Sequence, residues 1–408
     1  MIVVLSAVIL LSVLVIFTLG KSPFFRVDRV GAAIIGASLT VATGVLSFDE
    51  AIKTVDYRTV VLLFSMMIVT AHLNLSGFFQ LIANHSLIRL QTKRQLLLAV
   101  IVTVGLLSAF FINDVVCLLF TPIVISISQR AGLNPVPYLL GVALASNIGS
   151  AATLIGNPQN IYIGSVSPLS FAWYMAVALP LSLFGLILTY TFISRVYQAE
   201  LEGPLPEAFP VSGAFHPYLI KKGLVVVGFI LAGFLTGFNP AVVASLGAAF
   251  LLLTRRVKPA KVYAGIDFNL LVIFIGLFVI IGGVEHSGLL VRLINPHFIG
   301  SFLTLPVFAI LTVLLSNIVS NVPAVMLLKF FIPSNDGYVW WAAMAVFSTL
   351  AGNLTLTGSI ANLIVVELAK KKDIEISFST YLKIGFPLTV TMIIIGLVYF
   401  KMLFGPRF

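Results

Sequence analysis

The chain has 408 residues, of which 60% are hydrophobic and only 9% charged, with a mean hydropathy of +1.12. That excludes an ordinary soluble domain, in which roughly a quarter of the residues are charged. The net charge of +10 falls in short loops between apolar runs, which reads as positive-inside topology rather than nucleic-acid binding.

Apolar runs of about twenty residues recur from end to end, long enough to cross a hydrocarbon core of ~30 Å. No run shows the ten-residue alternation of a membrane β-barrel. The first run, "IVVLSAVILLSVLVIFTLG", lacks a basic leader and a clear small-residue cleavage site, so a retained helix is expected. One cysteine, Cys117, excludes an intramolecular disulfide and a cysteine-cluster metal site. The expected class is an all-α polytopic membrane protein.

Four pairs of segments match in the same order, about 200–210 residues apart. "VDYRTVVLLFSMMIVTAHLNLSGFF" (from Val55) matches "IDFNLLVIFIGLFVIIGGVEHSGLL" (from Ile266). "LSAFFINDVVCLLFTPI" (from Leu107) matches "LSNIVSNVPAVMLLKFF" (from Leu315). "ASNIGSAATLIGNPQNIYIG" (from Ala145) matches "AGNLTLTGSIANLIVV" (from Ala351). "SFAWYMAVALP" (from Ser170) matches "SFSTYLKIGFP" (from Ser377). The chain therefore divides into a first transmembrane half (1–194), a linker (195–222) and a second transmembrane half (223–408). The linker region holds three acids and four prolines between Arg195 and Gly223, as an extramembrane loop would.

Lys and Arg then fix the path through the membrane. With Lys21, Arg26 and Arg29 inside, Arg89, Lys93 and Arg94 also fall inside. If residues 96–130 crossed once, Arg130 would lie outside and every later loop would invert. If they dip in and return, Arg130, Arg195, Lys221 and Lys222 all stay inside, as do Arg255, Arg256, Lys258, Lys261 and Lys370–Lys372. The matching segment of the second half, 302–333, must then dip in from outside. Each half thus carries a re-entrant helical hairpin followed by a broken transmembrane helix (138–163 and 338–370), in two inverted-topology repeats. The linker is expected on the cytoplasmic side, both termini outside, and the whole in the plasma (inner) membrane. Inverted repeats with broken helices and a midplane site are the plan of secondary transporters.

The hairpin tips carry the chemistry. Asn113 and Asn321, the latter preceded by Ser320, occupy matching positions. Short polar residues there can simply cap helix ends left unpaired in the bilayer. They can also bind a ligand, because half-helix N-termini offer N–H donors and an Asn side chain both donates and accepts. Asp114 is matched by Val322. An acid inside a membrane is costly and usually functional, and burial favours its neutral form, which suits a proton carrier. Capping the second arm of the hairpin is the alternative.

The stretches "SNIGSAATLIGNPQN" and "GNLTLTGSIAN" break their helices at Gly156-Asn157-Pro158 and Gly358-Ser359. Small residues let helices pack closely, but Pro158 also removes a donor. Asn147, Asn157, Asn160, Asn353 and Asn362 add amides, so freed carbonyls here are expected to be able to hold a cation, near the hydroxyls of Thr153 and Ser359. Lys329 is expected to snorkel outward. His72, Glu285 and His286 are expected at the interface, and Cys117 as an apolar filler. No HExxH pair and no nucleophile–His constellation lies in the spans, so an enzyme is not expected.

"FFINDVVCLLFTPIVI" is similar to the first hairpin of the arsenite-pump family, where an Asn-Asp pair precedes a Thr-Pro. "LSNIVSNVPAVMLL" resembles its second hairpin, and "GSIANLIVVELAKKKDIEISFSTYLKIGFPLT" resembles its last helices. The chain is thereby identified as a member of the ion transporter superfamily, which includes arsenite pumps, silicic acid exporters, citrate carriers and divalent-anion/sodium symporters. In the symporters each tip reads Ser-Asn-Thr and helps form substrate and sodium sites. Asn113, Ser320 and Asn321 match that pattern, and the Thr is absent from both tips. Asp114 favours the arsenite and silicate branch.

The resemblance implies proton-coupled efflux of a small oxyanion or metalloid hydroxide, such as arsenite, antimonite or silicic acid. Asn113, Ser320, Asn321, Thr153, Asn157, Asn160, Ser359 and Asn362 would surround the substrate. Asp114, Asn147, Gly156, Asn353 and Gly358 would serve the coupling ion. That ion is expected to be H+, with no cofactor and no resident metal. The alternative is a sodium-coupled di- or tricarboxylate symporter. The expected partners are the substrate and the bilayer, without nucleic acid, and the symporters imply a homodimer.

Overall fold

The computed structural model describes residues 1–87, 90–205, 215–290, 304–333 and 337–405. Among them are twenty α-helices and no strand beyond two isolated bridges. The first half comprises α1 (Ile2–Leu19), α2 (Arg29–Ala42), α3 (Phe48–Thr54), α4 (Tyr57–Leu75), α5 (Phe78–Leu87), α6 (Lys93–Phe110), α7 (Asn113–Arg130), α8 (Val136–Ser150), α9 (Pro158–Val166) and α10 (Phe171–Val196). After the short α11 (Gln198–Leu201), the second half comprises α12 (Pro217–Leu235), α13 (Pro240–Leu252), α14 (Pro259–Tyr263), α15 (Phe268–His286), α16 (Leu305–Val319), α17 (Asn321–Leu328), α18 (Gly337–Ala351), α19 (Ile360–Lys370) and α20 (Phe378–Phe404). Seven of these (α1, α4, α6, α10, α12, α15 and α20) are long and apolar enough to cross a membrane. On α1 the large apolar residues Val4, Val8, Leu11 and Val15 are exposed along one stripe, a surface suited to lipid.

The two halves repeat their start signals as well as their helices. Asp56 caps α4 by accepting from the Arg58 N–H, and Asp267 caps α15 by accepting from the Leu270 N–H. Ser170 caps α10 and Ser377 caps α20 in the same way. Each cap satisfies one of the N–H groups a helix start leaves unpaired. The halves are also interlocked. α2 packs on α15 of the other half, and α13 packs on α4.

The 26-residue α10, about 39 Å long at 1.5 Å per residue, separates two faces. Near its end, α11 and the residues after it hold both feet of the first hairpin. Lys93 N–H reaches Gly203 O, Thr92 bridges Pro204, and the Asn134 side chain donates to Glu200. Near its start, Trp173 stacks against Tyr338 at the foot of α18, and Trp340 stacks on Phe308 in the first turn of α16. The hairpin α6–α7 therefore enters from the face carrying Lys93, Arg94 and Arg195, termed here the basic face. The hairpin α16–α17 enters from the opposite face.

The arms of the first hairpin run from Lys93 to Arg130, around the expected 96–130. The expected broken helices at 138–163 and 338–370 are α8–α9, interrupted at 151–157, and α18–α19, interrupted at 352–359. Helix occupies both ends of the expected linker 195–222, because α10 runs to Val196 and α12 begins at Pro217. Residues 88–89 of the first half, Arg89 among them, 206–214 of that linker, 302–303 of the expected second hairpin, and 291–301, 334–336 and 406–408 of the second half lie outside the described residues.

Candidate functional site

The two helix breaks face each other, and a buried amide cluster joins them. Backbone carbonyls fix which way each amide points. Leu144 O accepts from Asn353 Nδ2 at 3.0 Å, and Gly352 O accepts from Asn362 Nδ2 at 2.7 Å. The Oδ1 atoms of both residues are thereby turned toward Asn147, whose Nδ2 donates to them at 2.8 and 3.1 Å. Both amide hydrogens of Asn147 are then used. Its Oδ1 accepts from Asn113 Nδ2 at 3.1 Å and from Ser359 Oγ at 3.0 Å. The chain of constraints ends at Asn113 Oδ1, which is buried and has no partner.

A second group of bonds holds the first break. Asn157 Nδ2 donates to Ser150 Oγ at 3.0 Å and to Thr349 Oγ1 at 3.1 Å. Asn160 Nδ2 donates to Thr153 O at 3.0 Å, and Tyr174 OH donates to Ala151 O at 2.8 Å. Thr153 Oγ1 donates to Ala109 O, and Asn113 N–H donates to Gly156 O at 2.9 Å, so the first hairpin tip is fastened to the break. Gly156 permits this closeness, because a Cβ there would lie 2.3 Å from Ser150 O. In the second half, Asn362 Nδ2 also reaches Thr355 O at 3.3 Å, repeating the Asn160 contact. The carbonyls of Ala151, Thr153, Gly352 and Thr355 are thus taken by protein donors.

The second hairpin is tied differently. Asn317 Nδ2 donates to Ala351 O at 2.8 Å, and Thr355 Oγ1 donates to Asn317 Oδ1 at 3.1 Å. Gly358 lies against the same side chain, since a Cβ there would stand 2.8 Å from Asn317 Oδ1. Ser320 and Asn321 are half-buried, and their side chains form no hydrogen bond among the described residues. Ser320 sits at φ 77°, ψ 157°, a conformation close to glycine-only territory.

The structure therefore brings Asn113, Asn147, Asn353, Ser359 and Asn362 into one cluster, with Asn157, Asn160, Thr153 and Gly156 beside it. It does not bring Ser320, Asn321 or Asp114 into it by any hydrogen bond. Asp114 is half-buried in the first turn of α7, where the helix dipole favours a carboxylate. It lies within electrostatic reach of Asp267. Among the described residues no Lys or Arg side chain bonds to any member of the cluster, and no group of three metal-ligating side chains forms.

Sequence reasoning missed Ser150, Thr349 and Tyr174, although Tyr174 and Tyr381 match between the repeats. It also missed Ser108 and Ser316, matching positions whose buried hydroxyls both lack a partner. His72, expected at the interface, is buried, with α12 packed against α4 above it. Lys329, expected to snorkel outward, has its Nζ 4.6 Å from the Phe330 ring and lines a cavity of about 470 Å³ at the opposite face, with Glu50, Lys53, Tyr162, Glu285 and His286. Hydrogen bonds from Ser47 hold the Glu50 carboxyl there below its ordinary value.

Two interlocked inverted repeats, two re-entrant hairpins and a polar cluster at two helix breaks define a polytopic membrane transporter. The sequence profile of the citrate transporter family (CitMHS) matches residues 12–345, and the chain belongs to that family. It is similar to the silicon efflux transporter LSI3 of Oryza sativa subsp. japonica, with 27% identity over 92% of this chain and 93% of that protein. It is also similar to the inner membrane protein YbiR of Escherichia coli, with 30% identity over 85% of this chain and 88% of that protein. The crystal structure of the YdaH transporter of Alcanivorax borkumensis shares the fold, with a TM-score of 0.59, 14% identity and coverage of 99% and 98% of the two chains.

Proposed function

We propose that the protein is a proton-coupled exporter of a small, uncharged metalloid hydroxide of the arsenous or silicic acid type. One observation carries this reading: Asn113 Oδ1 is oriented by the amide chain, buried and unpartnered. A buried acceptor without a donor costs about 1–3 kcal/mol, and a hydroxyl-bearing substrate supplies that donor. A carboxylate offers only further acceptors. Metalloid hydroxides are uncharged near neutral pH, and a cluster of amides and hydroxyls without Lys or Arg suits them better than a trianion. The silicon efflux named in the LSI3 relative supports the same class.

Asn113 Oδ1 would accept from a substrate hydroxyl on one side, with Asn147 and Ser359 holding Asn113 in place, and Asn321 would close over the substrate from the second hairpin. Asp114 would carry the proton, loaded from outside and released inside, so that substrate and proton alternate at one site.

The description of the family as citrate transporters favours a second reading, a cation-coupled carboxylate carrier. Everted vesicles under an imposed pH gradient separate the two. Uptake of arsenite or silicic acid that collapses with the gradient is the expected result. Citrate uptake that follows sodium and ignores the pH gradient would overturn the proposal.

A further inference from the structure

Exposure differs sharply between two positions that the repeat makes equivalent. On the opposite face, Asp56 at the start of α4 and Ser165 near the end of α9 are bonded. Asp56 Oδ1 caps α4, and its Oδ2 accepts from Thr59 Oγ1 at 2.7 Å and from Ser165 Oγ at 2.9 Å. This contact fastens the second arm of a broken helix to a continuous helix, and α9 packs along α4 there.

The repeat carries Asp56 onto Asp267 and Ser165 onto Glu367. Both of these lie at the basic face. Gly265, just before α15, approaches Ala71 near the end of α4, and α20, which follows α19, ends against Trp173 at the other face. Asp267 Oδ1 caps α15 as Asp56 caps α4. Its second oxygen has no partner among the described residues, Asp267 and Glu367 are both exposed, and α19 makes no packing on α15 comparable to that of α9 on α4. The latch is closed at one face and open at the other.

Inverted repeats exchange such arrangements when a transporter reverses its access. We infer that closing the basic face brings Asp267 and Glu367 into the contact now made by Asp56 and Ser165, and that the two carboxylates there hold one proton between them. A hydroxyl can donate to a carboxylate, but a second carboxylate cannot unless it is protonated, and two adjacent carboxylates do not both stay ionised. The proton comes from water at the basic face as the latch closes and returns there as it opens. No bond other than O–H is made or broken. Closure of this face is then favoured by falling pH, whereas closure of the opposite face carries no such dependence.

The titratable and charged groups that neighbouring elements bring to this end are Asp28 and Arg29 at the start of α2, His72 near the end of α4, Lys258 and Lys261 at α14, and Arg130 at the end of α7, while Asp114 at the start of α7 lies within electrostatic reach of Asp267. Lys370 and Lys371 follow Glu367 on its own chain segment. The lysines lower the cost of bringing the carboxylates together, but a direct carboxylate–carboxylate contact like that of Asp56 with Ser165 still requires a proton held between the two oxygens. The inference needs only access reversal and no particular substrate, so it stands or falls separately from the metalloid reading.

Spin labels on Ala264→Cys and Lys372→Cys, both exposed positions, report the approach of α19 to α15 in the full chain in lipid nanodiscs. In the parent, the ratio of short to long distances should rise by up to about tenfold for each unit of falling pH, as one-proton linkage requires. Glu367→Ser restores the hydroxyl of the closed latch, and Glu367→Gln supplies an amide donor. In both, the short distance should persist without pH dependence. An unchanged pH response in these two variants, or no short distance in the parent at any pH, would overturn the inference.

Discussion

The two hairpin tips occupy equivalent places in the repeat and are held in different ways. At the first tip, Asn113 is 3% exposed, donates through its side chain to Asn147 and through its backbone to Gly156, and follows ordinary extended backbone at Ile112. At the second, Asn321 is half-buried without a side-chain bond among the described residues, and Ser320 before it takes a left-handed φ of 77°. Strain of that kind costs on the order of 1–3 kcal/mol and persists where function requires it. The first tip is built into the amide cluster. The second stands off it, held through Asn317 and Thr355 one turn away. An access route that opens by moving a hairpin needs one such tip free, and in the proposed cycle that tip would be the second.

The largest effect is expected from removing Asn147, which organises the amide cluster at the first tip. Asn147→Leu strands the Oδ1 atoms of Asn353 and Asn362 and the Nδ2 of Asn113, and unpaired buried groups cost about 1–3 kcal/mol each. A loss of at least about 3 kcal/mol is expected, seen as a large drop in melting temperature in detergent together with loss of transport. Next in size is the acid that only the first tip carries. Asp114→Asn should abolish proton-driven transport while leaving substrate counterflow measurable in proteoliposomes; full retention of proton-driven transport would remove Asp114 from coupling.

The tips themselves sharpen the contrast. Asn113→Ala should lower stability by about 1–2 kcal/mol, because the cavity it leaves and the loss of one of the two donors to Asn147 outweigh relief of its own unpartnered oxygen. Asn321→Ala should leave the melting temperature nearly unchanged. Equal losses would contradict the assignment of one engaged and one free tip. The smallest effect is expected from Ser320→Gly. It relieves the left-handed backbone, so stability should rise by up to about 1 kcal/mol, offset in part by the extra freedom of glycine when unfolded.

Much of this plan is legible in the sequence because the repeat writes it twice. The Asn113 and Asn321 tips, the breaks at Gly156 and Gly358, and the caps at Asp56 and Asp267 each have a partner about 200–210 residues away, and local chemistry accounts for all of them. The cluster is legible only in composition. That Asn147 would be its centre depends on Leu144 O and Gly352 O orienting two other amides first, and no local pattern encodes an order of constraints. Thr349 is invisible for the same reason. It reads as one hydroxyl in an apolar helix, yet its Oγ1 accepts from Asn157 and Gln159 of the other half. The break carbonyls, expected to be free for a cation, find donors in Asn160, Tyr174 and Asn362. Tyr174 does so from a separate helix, beyond the reach of spacing arguments.

In the proposed cycle both tips serve one substrate, although only one of them is engaged before it binds. Thermal shift of the purified protein with arsenite or silicic acid tests this directly. The parent should be stabilised in a concentration-dependent way, by RT ln(1 + [L]/Kd), and Asn113→Ala and Asn321→Ala should each lose that response. A full ligand-induced shift in Asn321→Ala would contradict the account, because the substrate would then bind without the second hairpin.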